Sequence, residues 1–269
     1  MCQLTSEEIE RYKRHIALRE VGVEGQRRLK AAKVLVVGTG GLGSSLILYL
    51  AAAGIGTIGI VDDDIVSLNN LQRQVIHNTA NIGMAKVFSA KATVARINPH
   101  VTVNAYPIRI DSTNALDLIQ KYDIVADGSD NFATRYLISD ACFLSKKPLV
   151  FAAIGSFDGY LTTFKPYLTQ NDGTPYPTYR CLFPELPSGS AILNSEGAGI
   201  FGAIPGVLGT LQASEIMKEI IGAGNSLVGY LLIYEALSSC FHSIKMKWNP
   251  DNPLSGTIPK IMDLSIHNI

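Results

Sequence analysis

Apolar runs and helical patterns alternate along most of the chain. Residues 33–38 and 56–61 predict two buried strands, and the small and apolar residues 42–53 predict a helix between them. Strand, helix and strand in this order are typical of a βαβ unit with parallel strands. Residues 6–15 and 24–32 are polar and favour helices, which predicts a helical arm in front of this unit.

The alternation continues with predicted helices at 84–97, 113–121 and 132–144 and predicted strands at 101–106, 122–126 and 148–153. The short connection 155–158 leads to a strand at 159–165, which predicts an antiparallel pair. A helix at 205–221 and strands at 230–234 and 241–246 would close the domain. The fold class expected is therefore α/β, a Rossmann-like βαβ nucleotide-binding domain with a mostly parallel sheet, an antiparallel extension and the N-terminal arm.

We expect one domain over residues 1–269. Its parts are the arm (1–32), the nucleotide-binding core (33–165), a crossover loop (166–204), the closing helix and hairpin (205–249) and a tail (250–269). The crossover loop is rich in Pro, Gly, Ser, Thr and Asn. It is too long for an ordinary connection, which favours a functional role.

Charge and cysteine usage narrow the classes of function. Lys and Arg together number 23, and so do Asp and Glu, which argues against a general nucleic-acid binder or a protein held to an anionic membrane. Residues 34–61 carry no charge and could cross a bilayer by length, but seven glycines break the stretch into strand, turn and helix. The four cysteines are far apart and the N-terminus is polar, so a cytoplasmic location with reduced thiols is expected.

The first chemical signal is a glycine-rich turn between the first strand and its helix. Gly38, Gly40, Gly41 and Gly43 would let backbone N–H groups and the helix dipole hold phosphate oxygens. Asp62, at the end of the next strand, is placed to bind a ribose. A mononucleotide and a dinucleotide fit this pattern equally well.

The residues after Asp62 favour adenylation over hydride transfer. Arg73 and Lys86 suit a triphosphate attacked at its α-phosphorus, because cations must neutralise the leaving pyrophosphate. Asn70 can add a neutral donor. Taken singly, Arg73 and Lys86 would be read as solvated surface charges.

A second signal, at residues 126–131, comes directly after a predicted buried strand. Asp130 can bind Mg²⁺ on the phosphates, because this ion prefers carboxylate, phosphate and water oxygens. The alternative role for Asp130 is the N-cap of the helix that starts near Phe132. Asp127 is read more simply as a cap of the turn.

At this point the sequence resembles the MoeB/ThiF/HesA family of the ubiquitin-activating superfamily, and within it most closely the MoeB pattern. The resemblance spans roughly residues 6–249 and rests on the segments 11–15 (RYKRH), 38–43, 62–74, 83–86, 127–135 and 179–184 (YRCLFP). It implies a cytoplasmic homodimer that uses ATP and Mg²⁺. The carboxylate of the C-terminal glycine of a small β-grasp carrier ending in Gly-Gly, similar to MoaD or ThiS, would attack the α-phosphate.

The resemblance also assigns roles by position. Asp62 would hold the ribose, Asn70, Arg73 and Lys86 the phosphates, and Asp130 the metal. Arg14 would reach from the arm into the partner's site like an arginine finger. Its alternative is an exposed helix arginine.

The sequence departs from the family at two places. Many relatives bind a structural zinc through two C-x-x-C pairs, but the corresponding residues here are Thr178, Cys181, Asn252 and Ser255, so no zinc is expected. Where some relatives carry a loop cysteine that bonds covalently to the carrier, this chain has Ser195. Adenylation without a covalent second step is therefore expected, and whether Cys181 or Ser195 forms any intermediate stays open.

Three other functions remain possible from the sequence. The first is adenylation of a peptide or a biosynthetic intermediate, which would use the same nucleotide site. The second is a scaffold that kept the fold and lost the chemistry. The third, a nicotinamide-dependent oxidoreductase, leaves Arg73 and Asp130 without a role. The pathway, whether molybdopterin, thiamine or another sulfur transfer, is not determined by the sequence.

Overall fold

The computed structural model describes residues 3–184 and 199–268. Among these residues, eight strands form one mixed sheet in the order β3-β2-β1-β4-β5-β6-β7-β8. The strands are β1 (Lys33–Val37), β2 (Thr57–Val61), β3 (Thr102–Tyr106), β4 (Ile124–Asp127), β5 (Leu149–Ile154), β6 (Asp158–Phe164), β7 (Tyr230–Glu235) and β8 (Cys240–Lys245). Strands β1 to β5 pair in parallel and β5 to β8 pair antiparallel. The predicted α/β fold with its antiparallel extension is confirmed.

The helices of the described chain are α1 (Ser6–Ile16), α2 (Gly22–Ala31), α3 (Gly41–Ala53), α4 (Lys86–Ile97), α5 (Ala115–Ile119), α6 (Phe132–Leu144), α7 (Tyr179–Leu182) and α8 (Ile204–Ile221). Short 3-10 turns lie at Leu68–Asn70, Thr79–Asn81 and Ser265–His267. Helix α1 begins at a capping box, in which the Thr5 hydroxyl accepts from the Glu8 N–H and the Glu8 carboxylate accepts from the Thr5 N–H.

Three predicted segments differ from the structure. Helix α4 begins at Lys86 rather than near 84, because Gly83 has a φ of +87° and Ala85 forms an antiparallel bridge with Ile65. The helix predicted at 113–121 is shortened to α5, since the Asp111 carboxylate accepts backbone N–H bonds from residues 113 and 114 and makes a turn there. Helix α7 lies inside the predicted crossover loop.

The core has one layer on each face of the sheet. Successive residues of β1 alternate between the two layers: Val34 and Val36 pack with α3 and α8, and Leu35 and Val37 pack with α5 and α6. A strand buried on both faces needs no polar positions, which accounts for the uncharged stretch 34–61. No helix of the described chain is long and apolar enough to cross a membrane.

The two helices of the predicted arm are present, and α1 lies against the amino-terminal edge of the parallel strands. Tyr12 is buried, and its hydroxyl accepts a hydrogen bond of 2.7 Å from the Asn98 side chain. Its ring packs on Gly54, where any Cβ would lie 2.4 Å from the ring. Gly54 and Asn98 both precede strands, so this contact fixes which edge of the sheet the arm occupies.

Candidate nucleotide site

The order of the strands creates a switch point between β1 and β4. The chain passes from β1 to β2 and β3 on one side of the sheet, and β4 and β5 lie on the other. In open α/β sheets, ligands bind at the carboxyl ends of the strands that flank such a point. The glycine-rich turn, Asp62 and the loop 127–131 follow β1, β2 and β4 respectively, so the fold brings these three predicted segments to one place.

The backbone of the glycine-rich turn is crowded on one side. Gly38 has a φ of +92°, and a Cβ there would lie 2.8 Å from the Gly128 carbonyl oxygen. A Cβ on Gly43 would lie 2.0 Å from the Gly38 oxygen, and one on Gly41 would lie 2.9 Å from Pro205. These three glycines are therefore required by close packing.

The other side of the turn is open. A Cβ on Gly40 would meet only the Gln74 side chain, at 3.7 Å. Helix α3 has no side-chain cap, and the N–H groups of Gly40, Gly41 and Leu42 have no acceptor among the described residues. Free N–H groups at the positive end of a helix of 13 residues suit an anionic group such as phosphate.

The Asp62 carboxylate is oriented by its neighbours. Its Oδ2 accepts from the Thr39 N–H at 2.7 Å and from the Thr39 hydroxyl at 2.6 Å, and its Oδ1 accepts from the Asp64 N–H at 2.9 Å. A carboxylate can accept about four hydrogen bonds, so one position remains. That position suits a ribose hydroxyl.

The three predicted phosphate-binding side chains have different environments. The Lys86 side chain is only 5% exposed, and its Nζ lies 2.7 Å from Oδ2 of the exposed Asp64. Arg73 is half-buried, with its Cγ 3.5 Å from the place a Gly41 Cβ would occupy, so it lies against the turn. Asn70 is half-buried in a 3-10 turn, and its amide donates to the Asn69 side chain at 3.2 Å. Lys86 is thus not a solvated surface lysine.

The loop after β4 separates the roles of its two aspartates. Asp127 is fully buried, and its Oδ1 accepts from the Ser129 N–H at 2.9 Å, which is the predicted turn cap. Burial raises the pKa of the Asp127 carboxyl, and the charge of Arg135 opposes this rise. Asn131, not Asp130, caps α6, since its Oδ1 accepts from the Thr134 N–H at 2.9 Å. The alternative N-cap role of Asp130 is therefore wrong.

Asp130 itself is exposed, and its carboxylate has no hydrogen-bond or ion-pair partner in the part of the chain that the structure describes. The preceding Gly128 lies against Gly38, so Asp130 belongs to the loop that touches the glycine-rich turn. A free carboxylate beside a phosphate-binding turn has the chemistry that Mg²⁺ needs.

Arg14 is not part of this cluster. It is exposed in the last turn of α1, at the amino-terminal edge of the sheet. Strands β1 and β2 have five residues each and span about 17 Å, so the turn lies at the far edge. Arg14 therefore does not reach the nucleotide site of its own chain.

The four positions that correspond to zinc ligands do come together in space. The Asn252 amide donates to the Thr178 hydroxyl at 2.8 Å and to the Cys181 sulfur at 3.0 Å. The Asn252 side-chain oxygen Oδ1 accepts from the backbone N–H groups of Leu254 and Ser255. Asn252 thus joins the tail to α7 by hydrogen bonds. No group of three metal-binding His, Cys, Asp or Glu side chains occurs among the described residues. Ser195, the residue considered above for a covalent intermediate, lies outside the described residues.

A buried ion pair also fixes α7. The Arg180 guanidinium donates to both oxygens of Asp140, at 2.6 to 3.1 Å, and stacks on the Tyr136 ring at 4.8 Å. His267 of the tail contacts the same carboxylate at 2.9 Å. The part of the crossover loop that forms α7 is therefore anchored to α6 and to the tail.

Sequence reasoning missed two residues of the site, Thr39 and His77. Thr39 holds Asp62, as described above. His77 is buried, with Nε2 at 3.1 Å from the Thr39 carbonyl and Nδ1 at 2.9 Å from the Ser89 hydroxyl. A histidine within an otherwise apolar and amide segment, 74–77, was the available signal.

Comparison with known proteins identifies the family of the chain. The model of the ThiF family matches residues 12–254. The chain belongs to the ThiF family. It is 46% identical to the sulfur carrier protein adenylyltransferase of Thermus thermophilus over 97% of this chain and 95% of that relative. It is 47% identical to the adenylyltransferase and sulfurtransferase MOCS3 of Bos taurus over 97% of this chain, which spans 56% of that relative's length.

Among solved structures, Escherichia coli MccB in a crystal with ATP has a TM-score of 0.79 and 22% identity, over 94% of this ThiF-family chain and 75% of MccB. At that identity the likeness concerns the fold alone. The predictions of the family and of an adenylyltransferase are confirmed by these comparisons. The individual roles of Arg14, Asn70, Arg73, Lys86 and Asp130 stay predictions.

Proposed function

We propose that this ThiF-family chain uses ATP and Mg²⁺ to adenylate the C-terminal glycine carboxylate of a small ubiquitin-like sulfur-carrier protein. The observation that carries the proposal is the uncapped N-terminus of α3 at the switch point, with Asp62 on one side and the uncommitted Asp130 on the other. The names of relatives at 46–47% identity support the substrate class.

The reaction is one displacement at phosphorus. A carboxylate oxygen of the carrier bonds to the α-phosphorus of ATP, and the bond from that phosphorus to the oxygen bridging to the β-phosphate breaks, releasing pyrophosphate. A C-terminal carboxylate is ionised at neutral pH, so this step needs no general base. The barrier comes largely from the repulsion between anions, which positive groups and correct positioning reduce.

The cations of the site fit this requirement. Lys86 is desolvated, so its charge acts through a medium less polar than water. Arg73 lies beside the turn and can neutralise a second part of the triphosphate, and Asn70 can add a donor. Asp62, whose orientation is fixed by Thr39, would bind the ribose.

Asp130 would hold the magnesium ion. When bound, this ion supplies positive charge to the phosphate oxygens during the displacement. The fit rests on the exposed carboxylate of Asp130, which no described neighbour occupies. The buried Asp127, whose carboxyl already caps a turn and has a raised pKa, is the poorer ligand.

A homodimer would complete the site. Arg14 lies at the wrong edge for its own nucleotide but can serve a partner's. The segment 65–88, which carries Arg73 and Lys86, exposes several large apolar side chains that a partner could cover: Ile65, Leu68, Val75, Ile82, Met84 and Phe88. Exposed apolar side chains in such number on one segment are typical of an interaction surface.

Pyrophosphate exchange tests the proposal. The protein should incorporate labelled pyrophosphate into ATP only when a β-grasp carrier ending in Gly-Gly is present. The matched control is the same carrier with its C-terminal carboxylate converted to an amide, which cannot attack. Exchange with an unstructured peptide but with no β-grasp carrier would instead support the peptide-adenylating alternative, and no exchange with any acceptor would support the scaffold.

A further inference from the structure

His77 connects the glycine-rich turn to the helix that carries Lys86. His77 lies in the long loop between β2 and α4, and it is 6% exposed. One ring nitrogen contacts the Thr39 carbonyl inside the turn and the other contacts Ser89 in α4. Ser89 lies three residues after Lys86 and therefore on the same face of the helix.

The partners of the ring determine its tautomer. A carbonyl oxygen only accepts, so Nε2 carries the hydrogen that is donated to Thr39. Nδ1 then accepts from the Ser89 hydroxyl. The Ser89 hydroxyl also lies 3.2 Å from the Asn81 side-chain oxygen. If it donated its one hydrogen there, it could only accept from Nδ1, and the ring would then carry a proton on both nitrogens. Burial lowers the pKa of His77, with a smaller contribution from the charge of Lys86, and outweighs the opposing effect of the hydrogen bond to Thr39, so the neutral ring is favoured at pH 7.

The bond to the Thr39 carbonyl orients the next peptide N–H. In a planar trans peptide, the C=O of Thr39 and the N–H of Gly40 point in opposite directions. Because the carbonyl points to His77 in the interior, the Gly40 N–H points away from the interior. It has no acceptor among the described residues and is the first of the free donors at the start of α3.

We propose that His77 is a positioning residue for the triphosphate: it holds the Thr39–Gly40 peptide so that the Gly40 N–H faces a phosphate oxygen. The role rests on the proposed use of ATP. Through Ser89, the ring also keeps the turn at a fixed distance from α4 and so from Lys86. Loss of the donor to Thr39 lets this peptide rotate, which weakens binding of the phosphates more than binding of the nucleoside.

Two amide substitutions at one position separate this role from general stability. In His77→Gln the side-chain nitrogen lies three bonds from Cβ, as Nε2 does, and can still donate to Thr39. In His77→Asn the nitrogen corresponds to Nδ1 and cannot reach that carbonyl. We expect His77→Asn to weaken ATP binding at least about tenfold, the loss of one hydrogen bond to an oriented group, and His77→Gln to stay within about threefold.

The measurements are the Kd values of ATP and of adenosine by calorimetry, with thermal unfolding of each free variant. The preference for ATP over adenosine should fall about tenfold in His77→Asn and not in His77→Gln. Thr163→Val is the control, because it removes another buried hydrogen bond, 3.1 Å from its hydroxyl to the Glu215 carboxylate, in the antiparallel part of the sheet. It should lower Tm without changing either Kd. If His77→Asn fails to fold, Ser89→Ala takes its place and should lower the same preference by about threefold.

Equal ATP binding by the Asn and Gln variants, or an unchanged preference for ATP over adenosine, would overturn the role of His77. Failure of the unaltered protein to bind ATP would overturn the proposed function itself. The two failures are therefore distinguishable in one set of titrations.

Discussion

Gly43 offers the sharpest test of the glycine-rich turn as a phosphate site. Replacing it by alanine places a Cβ 2.0 Å from the Gly38 oxygen and 2.9 Å from the Gly38 carbon. Ordinary contact begins at 3.4 Å, so the oxygen must move by about 1.4 Å (3.4 minus 2.0). The φ of Gly43 is not positive, so the effect is steric and not conformational.

A movement of this size would break the phosphate contacts. Hydrogen bonds from N–H to oxygen hold only over about 2.7–3.2 Å. Bonds to a charged group contribute about 1.5–3 kcal/mol each, and the loss of two corresponds to at least about a hundredfold weaker binding of ATP. Crowding of the core should also lower the free energy of unfolding by about 1–3 kcal/mol.

Gly206 supplies a matched control. It also lies in a helix, α8, but a Cβ there meets no described atom within 4 Å. Gly206→Ala should leave the ATP Kd unchanged and raise the free energy of unfolding by about 0.5–1 kcal/mol. Calorimetric titration with ATP and denaturant unfolding measure both quantities. A folded Gly43→Ala protein that binds ATP within threefold of the unaltered chain would refute the reasoning.

Four further predictions concern the metal, the partner chain and the tail. Asp130→Asn should reduce pyrophosphate exchange at least about a hundredfold, and a shift of the Mg²⁺ dependence to higher concentration would identify the cause. Arg14→Ala and Lys86→Ala chains should each be nearly inactive, yet after proven subunit exchange their mixture should regain roughly a quarter of the activity, since about half the dimers are mixed and each mixed dimer has one intact site. The purified protein should carry no stoichiometric zinc by elemental analysis. Asn252→Ala should lower the free energy of unfolding by about 1–3 kcal/mol, because it removes the buried amide that donates to both Thr178 and Cys181. About one zinc per chain that survives treatment with a chelator would contradict the prediction of no zinc.

The sequence predicted the parts of the site that follow from local chemistry. A glycine is needed wherever backbone meets backbone, and the spacing of Gly38 and Gly43 between a strand and a helix is visible without a structure. The order of apolar runs likewise predicted every strand to within two residues at each end. These signals are short in range, so they are visible in the sequence alone.

Roles that depend on a neighbour distant in sequence were not predictable in the same way. Asp130 and Asn131 are both good helix caps, and only the bond from Thr134 to Asn131 shows which of them is used. His77 and Thr39 are 38 residues apart, and nothing in the composition of either segment indicates their contact. Asn252 has an amide where the family pattern has a thiolate, and this amide contacts Cys181, 71 residues away. Only the fold reveals this pairing as well.

The position of Arg14 shows how a contact between residues distant in sequence affects the proposed mechanism. From the sequence, an arginine of the arm could act in its own site, in a partner's site or in neither. The packing of Tyr12 on Gly54 places α1 at the amino-terminal edge of the sheet, whereas free helix donors and the acidic loops lie at the carboxyl edge. A role in its own site is thereby excluded. If Arg14 stabilises the displaced pyrophosphate, catalysis requires a second chain, and the activity per chain must fall when the protein is diluted below the dissociation constant of its dimer.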